Sequence, residues 1–235
     1  RIQPYTMVKT VVDQLRDAGI SEINCDLIYG LPHQTLDRFY RTLEKTLSLD
    51  PARISLFSYA HMPHLKKHQR LIDESWLPSI SEKLQLFVDA SRVLEANGYV
   101  AIGMDHFAKP DNPMAIAMRN RSLRRNFQGY VVDNTDVLIG FGSSSISQFP
   151  EGYTQNSAST PDYSTKVGGG MLPTVRGWTN RGDDLARKKI IDALMCFMTV
   201  DLAEIADEFS LPLHHFDDSL NELGAFESKD ILEVR

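Results

Sequence analysis

Short β-type runs alternate with amphipathic helical stripes through the first half of the chain, and this alternation restricts the architecture more than any other feature. Ile20–Tyr29, Arg53–Tyr59 and Tyr99–Met104 read as strands, and Asp136–Phe141 as a fourth. Ahead of the first run, Val8, Val11, Val12 and Leu15 follow helical spacing, with Gly19 placed for a left-handed C-cap. Between the first two runs, Thr35 can cap a helix whose stripe is Leu36, Phe39, Tyr40, Leu43 and Leu47. Before the third, Ser79 and Glu82 form an S-x-x-E capping box, Leu84, Phe87, Val88 and Leu94 line a helix, and Gly98 ends it. Strands separated by helices of about 12–18 residues predict parallel pairing with right-handed crossovers, hence an α/β sheet or barrel.

Composition narrows the class. At 235 residues the chain suffices for one large domain or a medium one with a small one. Its 42% hydrophobic and 24% charged residues are ordinary for a globular protein. A net charge of −6 argues against nucleic acid as the main partner, because phosphate binding needs a basic surface. No apolar run approaches the roughly 18–20 residues that span a bilayer, so no membrane span is expected. Cys25 and Cys196 are too far apart in sequence for a disulfide framework or a cysteine-only metal site, and a reducing, cytoplasmic setting is the simplest expectation. The chain begins at Arg1 without a methionine and ends in mid-pattern at Ile231–Arg235, which reads as a fragment. Pro150–Thr179, rich in Gly, Ser, Thr and Pro, reads as an extended connection, either a flexible linker or an ordered lid. Beyond it, Ile190, Ile191, Leu194, Met195 and Met198 form a helical stripe. The expected domains are therefore 1–179 and a small helical one over 180–235.

In α/β folds ligands gather at the C-terminal ends of strands, which directs attention to Asp26, Tyr59–His61, Asp105–His106 and the turn Gly142–Ser145. Asp26 interrupts an apolar strand. A carboxylate there is either a core residue satisfied by its neighbours or a ligand contact at a barrel mouth. Asp105–His106 can serve as an acid–base pair, although adjacent strand side chains point to opposite faces and no direct hydrogen bond between them is expected. His61, His64 and His68 have helical spacing, but Met62–Pro63 interrupts a helix and zinc binding is not expected. Arg119, Arg121, Arg124 and Arg125 form either a solvated face or a receptor for anionic groups. GFGSSSIS (140–147) lacks both phosphate-binding fingerprints and says that chain or ligand passes close by.

NCDLIYGLPHQT (24–35), FSYAHMPHLKKHQRLI (57–72), LPS (77–79) with EKL (82–84), MDHFAKPDN (104–112), RNFQGY (125–130) and GFGSSSIS together resemble the oxygen-independent coproporphyrinogen III oxidases. These are radical S-adenosylmethionine enzymes of haem biosynthesis. RIQPY (1–5), Trp178 and Asp183–Asp184 agree with the resemblance, which covers nearly the whole chain in matching order. It implies the second half of a TIM-like radical-SAM barrel followed by a small, mainly helical C-terminal domain. The cluster motif C-x-x-x-C-x-x-C is then expected upstream of Arg1, with no metal ligands in this chain and an inactive fragment in isolation.

The implied cofactors are two S-adenosylmethionine molecules and a 4Fe–4S cluster. Arg1, Asp26 and Ala60 match contacts to the second S-adenosylmethionine, Ile146 matches a contact to the first, and Gln128 lies in a motif associated with activity. The implied reaction uses a 5′-deoxyadenosyl radical to convert two propionates of coproporphyrinogen III to vinyls, giving protoporphyrinogen IX. Arg119, Arg121, Arg124 and Arg125 are the candidates to receive the substrate's carboxylates. A flavodoxin or ferredoxin is the expected electron donor and a monomer the expected state. The alternative is a radical-SAM-like haem chaperone that delivers haem without decarboxylation. A TIM-barrel hydrolase built on Asp105–His106 is a third, minor reading.

Overall fold

A computed structural model describes residues 3–227, 229, 232 and 233, and Arg1 lies outside them. The chain divides into two compact units, Arg1–Leu123 and Arg124–Arg235. The boundary expected at 179/180 falls inside the second unit.

In the first unit, α1 (Tyr5–Asp17), β1 (Asn24–Tyr29), α2 (Leu36–Leu47) and β2 (Arg53–Ser58) follow in that order. They are succeeded by α3 (Ile80–Ala96), β3 (Val100–Ile102), β4 (His106–Ala108) and α4 (Pro113–Arg119). Among the described residues these strands form a four-stranded sheet in the order β1-β2-β4-β3. β1 and β2 pair in parallel across α2, as the spacing predicts. The third run behaves differently. It pairs antiparallel with β4, which in turn pairs antiparallel with β2, so parallel pairing holds for the first two strands alone. The reason is connection length: a parallel crossover takes a dozen or more residues, whereas residues 103–105 suffice for a hairpin turn, with Gly103 at φ 59°.

The local signals at helix ends hold. The Thr35 hydroxyl accepts from the Arg38 N–H. Ser79 and Glu82 form the reciprocal capping box, and Gly98 takes φ 85° after α3. The core under the sheet comprises Phe39 and Leu43 of α2, Ile54 and Leu56 of β2, Leu86, Ala90 and Leu94 of α3, and Phe107. Each fully buried Leu or Ile there contributes about 1.5–3 kcal/mol. The buried line of α3 runs through Leu86, Ala90 and Leu94, while Leu84 is 62% exposed. Of the expected stripe, Leu94 is buried and Phe87 packs against this core, while Leu86 and Ala90 take the buried places that Leu84 does not fill.

The second unit contains the hairpin β5 (Arg124–Asn126) and β6 (Gly129–Val131) and the antiparallel sheet of β7 (Ile146–Phe149), β8 (Gly152–Asn156) and β9 (Thr174–Thr179). Its helices are α5 (Thr160–Gly168), α6 (Asp184–Phe197), α7 (Leu202–Glu208) and α8 (Asp217–Glu227). Three expectations are corrected here. Pro150–Thr179 is not an extended connection but a strand, a helix and a strand. Ser159 caps α5 by accepting from the Asp162 N–H, Pro161 sits in its first turn, and Gly170 at φ 72° turns the chain beyond it. Asp136–Phe141 makes one antiparallel bridge, Leu138 to Gln148, and is not a strand. In α6 the buried residues are Ala186 and Cys196, whereas Ile191, Leu194 and Met198 are exposed. Ala186 packs with Ile205 and Phe216, and Ile190 lies against them.

Candidate functional site

Period-two alternation splits the first sheet into two chemically different faces. Cys25, Leu27, Tyr29, Ile54, Leu56 and Phe107 turn toward the helices. Asn24, Asp26 and Ile28 of β1 turn the other way and are exposed. Asp26 is therefore not a core carboxylate. It is level with Ser55 on β2, and Ser55 is level with His106 on β4, so three polar side chains share one row across three strands. Ile28 stands beside Phe57 one pleat further on, 44% and 37% exposed. The row and this apolar pair make a mixed floor for an organic ligand with polar substituents.

Hydrogen bonds fix the row. The Asn24 amide donates to Asp26 Oδ1 at 2.6 Å and to the Ser55 hydroxyl at 3.1 Å. Ser55 is buried, so its engagement with Asn24 satisfies a group that water does not reach. His106 Nδ1 lies 2.7 Å from Asp105 Oδ1 and the ring meets Phe57 edge-on at 5.8 Å. This corrects the expectation of no contact between the two residues. Asp105 belongs to the hairpin turn rather than to a strand, so strand alternation does not govern its direction. At the end of β2, Ala60 is exposed and its carbonyl accepts from the buried Gln69 amide at 3.0 Å. The Gln69 Oε1 accepts from the Met62 N–H at 2.6 Å, which pins the turn after the strand. Gln69, Asn24 and Ser55 were not among the residues anticipated. A polar residue breaking an apolar run, as Ser55 breaks RISLF, is the signal that marks the second strand.

The second unit places Ile146 at the start of β7, half-buried and level with Gln155, and Gln128 at the exposed tip of the β5–β6 hairpin. The Gln128 N–H donates to Asn126 Oδ1 at 2.8 Å. The GFGSSSIS turn folds against its own chain: a Cβ on Gly140 would meet the Ile146 carbonyl at 2.7 Å. The Gly142 N–H donates to the Tyr163 hydroxyl, and the Asn156 amide donates to the carbonyls of Gly140 and Gly142.

The four arginines have separate engagements. Arg119 donates to the Pro110 carbonyl at 2.9 Å, and Arg121 takes φ 54° just past α4. Arg124 pairs with Asp136 at 3.0 Å. Arg125 stacks over Tyr130 at 4.6 Å, its buried Nη1 without a partner among the described residues.

The two thiols do not suit an iron–sulfur cluster, which needs three close thiolates. Cys25 and Cys196 sit in different units, and burial raises both thiols, that of Cys196 to about 11. Asp26, by contrast, fits a bound ligand: an exposed carboxylate offers about four acceptor positions.

No family model matches the chain. Curated relatives do. It is 46% identical over 205 residues to an oxygen-independent coproporphyrinogen III oxidase of Bradyrhizobium diazoefficiens, covering 87% of this chain and 46% of that one. It is 42% identical over 233 residues to the corresponding Helicobacter pylori protein, covering 99% and 51%. Among solved structures, the coproporphyrinogen III oxidase of Escherichia coli, described as a radical SAM enzyme, superposes with a TM-score of 0.94. That match has 35% identity and covers 100% of this chain and 54% of the other. Fold and sequence thus make the chain similar, along its whole length, to part of a radical SAM enzyme. The curated relatives it resembles are named oxygen-independent coproporphyrinogen III oxidase. The chain spans about half the length of the curated relatives it matches.

Proposed function

We propose that the full-length protein carrying this chain converts coproporphyrinogen III to protoporphyrinogen IX without oxygen. Each of two propionates loses a hydrogen from its β-carbon, then CO2 and one electron, and a vinyl group remains. The observation that supports this most is the match, along the whole chain, to enzymes bearing that name, together with an open sheet face whose polar row includes Asp26. On this reading the chain supplies the second half of the barrel over 1–179 and a helical domain over 180–235, with the 4Fe–4S cysteines elsewhere in the protein.

Two S-adenosylmethionine molecules supply the hydrogen-abstracting chemistry when bound. Asp26 accepts from a hydroxyl or ammonium group of one of them, Ala60 offers packing and backbone beside it, Arg1 pairs with its carboxylate, and Ile146 packs on the other. Ile28 and Phe57 exclude water from the floor, which strengthens each polar contact. Arg119, Arg121, Arg124 and Arg125 receive substrate carboxylates, and Gln128 is needed for turnover. The enzyme works as a cytoplasmic monomer with a flavodoxin or ferredoxin as donor, and the chain alone is inactive.

The test is an anaerobic assay of the full-length protein with S-adenosylmethionine, a reductant and coproporphyrinogen III. Formation of protoporphyrinogen IX is the expected result. Stable haem transfer without decarboxylation would replace the oxidase by a haem chaperone.

A further inference from the structure

We infer that the segment after β2, through Lys66, Lys67 and Arg70, binds propionate carboxylates of the tetrapyrrole. The inference rests on the proposed function for the identity of the ligand, and on charge and placement for the role. From His61 to Ile72 the chain carries these three cations and no Asp or Glu, within a sequence of net charge −6. Lys66 and Lys67 are exposed, and among the described residues no ion pair holds either of them. The Arg70 Nε donates to the Pro63 carbonyl at 3.1 Å, which sets the guanidinium and leaves its Nη groups for a ligand. Neighbouring like charges repel, so an anion that binds across the run relieves them. Arg119 and Arg124, in contrast, already engage the Pro110 carbonyl and Asp136. A carboxylate reaches the two lysines without breaking a contact.

The segment is anchored where ligands of α/β folds gather. The buried Gln69 ties it to Ala60 and Met62 at the end of β2. Further along, the Trp76 carbonyl accepts from the His33 N–H at 2.8 Å, in the loop after β1. It therefore spans the C-terminal ends of two parallel strands and is held there before any ligand arrives. Met62, Leu65 and Leu71 interleave with the cations and are 38%, 63% and 86% exposed. Apolar and cationic positions in alternation suit a flat apolar ring with carboxylates at its edge. A bare anion such as phosphate would leave the apolar groups in water.

The experiment measures equilibrium binding to the full-length protein under anaerobic conditions, without turnover, beside thermal unfolding of each sample. The probes are coproporphyrin III, its tetramethyl ester and S-adenosylmethionine. Lys66→Ala combined with Lys67→Ala lowers the affinity for coproporphyrin III about tenfold, the product of two exposed ion pairs of about threefold each. Affinities for the ester and for S-adenosylmethionine are unchanged. Lys66→Glu with Lys67→Glu lowers the acid's affinity further, and that loss shrinks as salt is raised. Lys66→Arg with Lys67→Arg keeps the charge and the affinity, which guards against misfolding as the cause. Equal weakening of acid and ester, a loss confined to S-adenosylmethionine, or wild-type affinity for the acid in the alanine and glutamate variants would overturn the assignment. A wild-type protein that binds coproporphyrin III and fails the decarboxylation assay removes the proposed function alone, and the variants still decide the role of the segment. One that binds no coproporphyrin III removes both.

Discussion

Replacing Asp26 by alanine separates a ligand contact from a structural one, because the two roles predict losses of different size. In the fold, the carboxylate is exposed and accepts from the Asn24 amide at 2.6 Å, two residues away on its own strand. Removing it leaves Asn24 its contact with Ser55 and opens no buried cavity, since Asp26 is exposed. An exposed hydrogen bond of this kind contributes at most about 1 kcal/mol, which corresponds to a melting shift of about 2–4 °C for a chain of this size. A carboxylate accepting from a ligand hydroxyl or ammonium contributes about 1.5–3 kcal/mol, or roughly ten- to hundredfold in affinity. The expectation for Asp26→Ala is therefore a ten- to hundredfold loss in kcat/KM for S-adenosylmethionine cleavage, with a nearly unchanged melt. Asp26→Asn, which keeps one acceptor oxygen, falls between. The assay follows 5′-deoxyadenosine release from the anaerobic full-length protein beside thermal unfolding of the same samples. Unchanged cleavage at normal stability would refute the assigned contact. A large fall in melting temperature with proportionate loss of activity would return Asp26 to a structural role.

Three further outcomes test the fold. Ser79→Ala removes the half of the α3 capping box that the Ser79 hydroxyl makes, leaving the backbone N–H of residue 79 to Glu82, and costs about 1 kcal/mol in urea denaturation, whereas Ser81→Ala, inside the first turn, costs less. In Gly152→Ala the new Cβ collides with the Trp178 carbonyl, so the β8–β9 pairing must open; loss of exchange protection along β9 is expected, and an intact β8–β9 pair would contradict the close approach. The Asp183 carboxyl is held below its ordinary range, first by the His215 hydrogen bond at 2.9 Å and then by Arg187. A depressed folded value means that this contribution is present above the unfolded value of about 3.9 and is lost as pH falls through the folded one. The stability difference between wild type and His215→Ala should thus be full above about pH 5 and shrink below about pH 4 in urea melts. A difference that does not change across that range would exclude the linkage.

Elements governed by neighbouring residues were legible in the sequence: the caps at Thr35 and Ser79, the parallel pair β1–β2 across its helix, and the end of α3 at Gly98. What escaped depended on partners distant in sequence or on unexpectedly short connections. The antiparallel return of β3 and β4 follows from a three-residue turn inside a run that reads as one strand with a polar tail. Ordered structure over Pro150–Thr179 follows from pairing β9 with β8, which no local preference for Gly, Ser and Thr announces. Backbone pairing satisfies that strand even though all six of its residues are exposed.

The same distinction applies to the site. Asp26 stands out because a carboxylate in an apolar run needs a reason, yet the run alone admits both a buried and an open carboxylate. Register decides between them: once Asp26 is level with Ser55, it must share the face opposite Ile54 and Leu56, and those two line the core. The contact between Asp105 and His106 turns on one residue's membership of a strand. Had the strand begun at Asp105, the pleat would have sent the two side chains to opposite faces. Because it begins at His106, the turn carries Asp105 round to the imidazole, and an acid–base dipeptide becomes a hydrogen-bonded pair on the same face as Asp26.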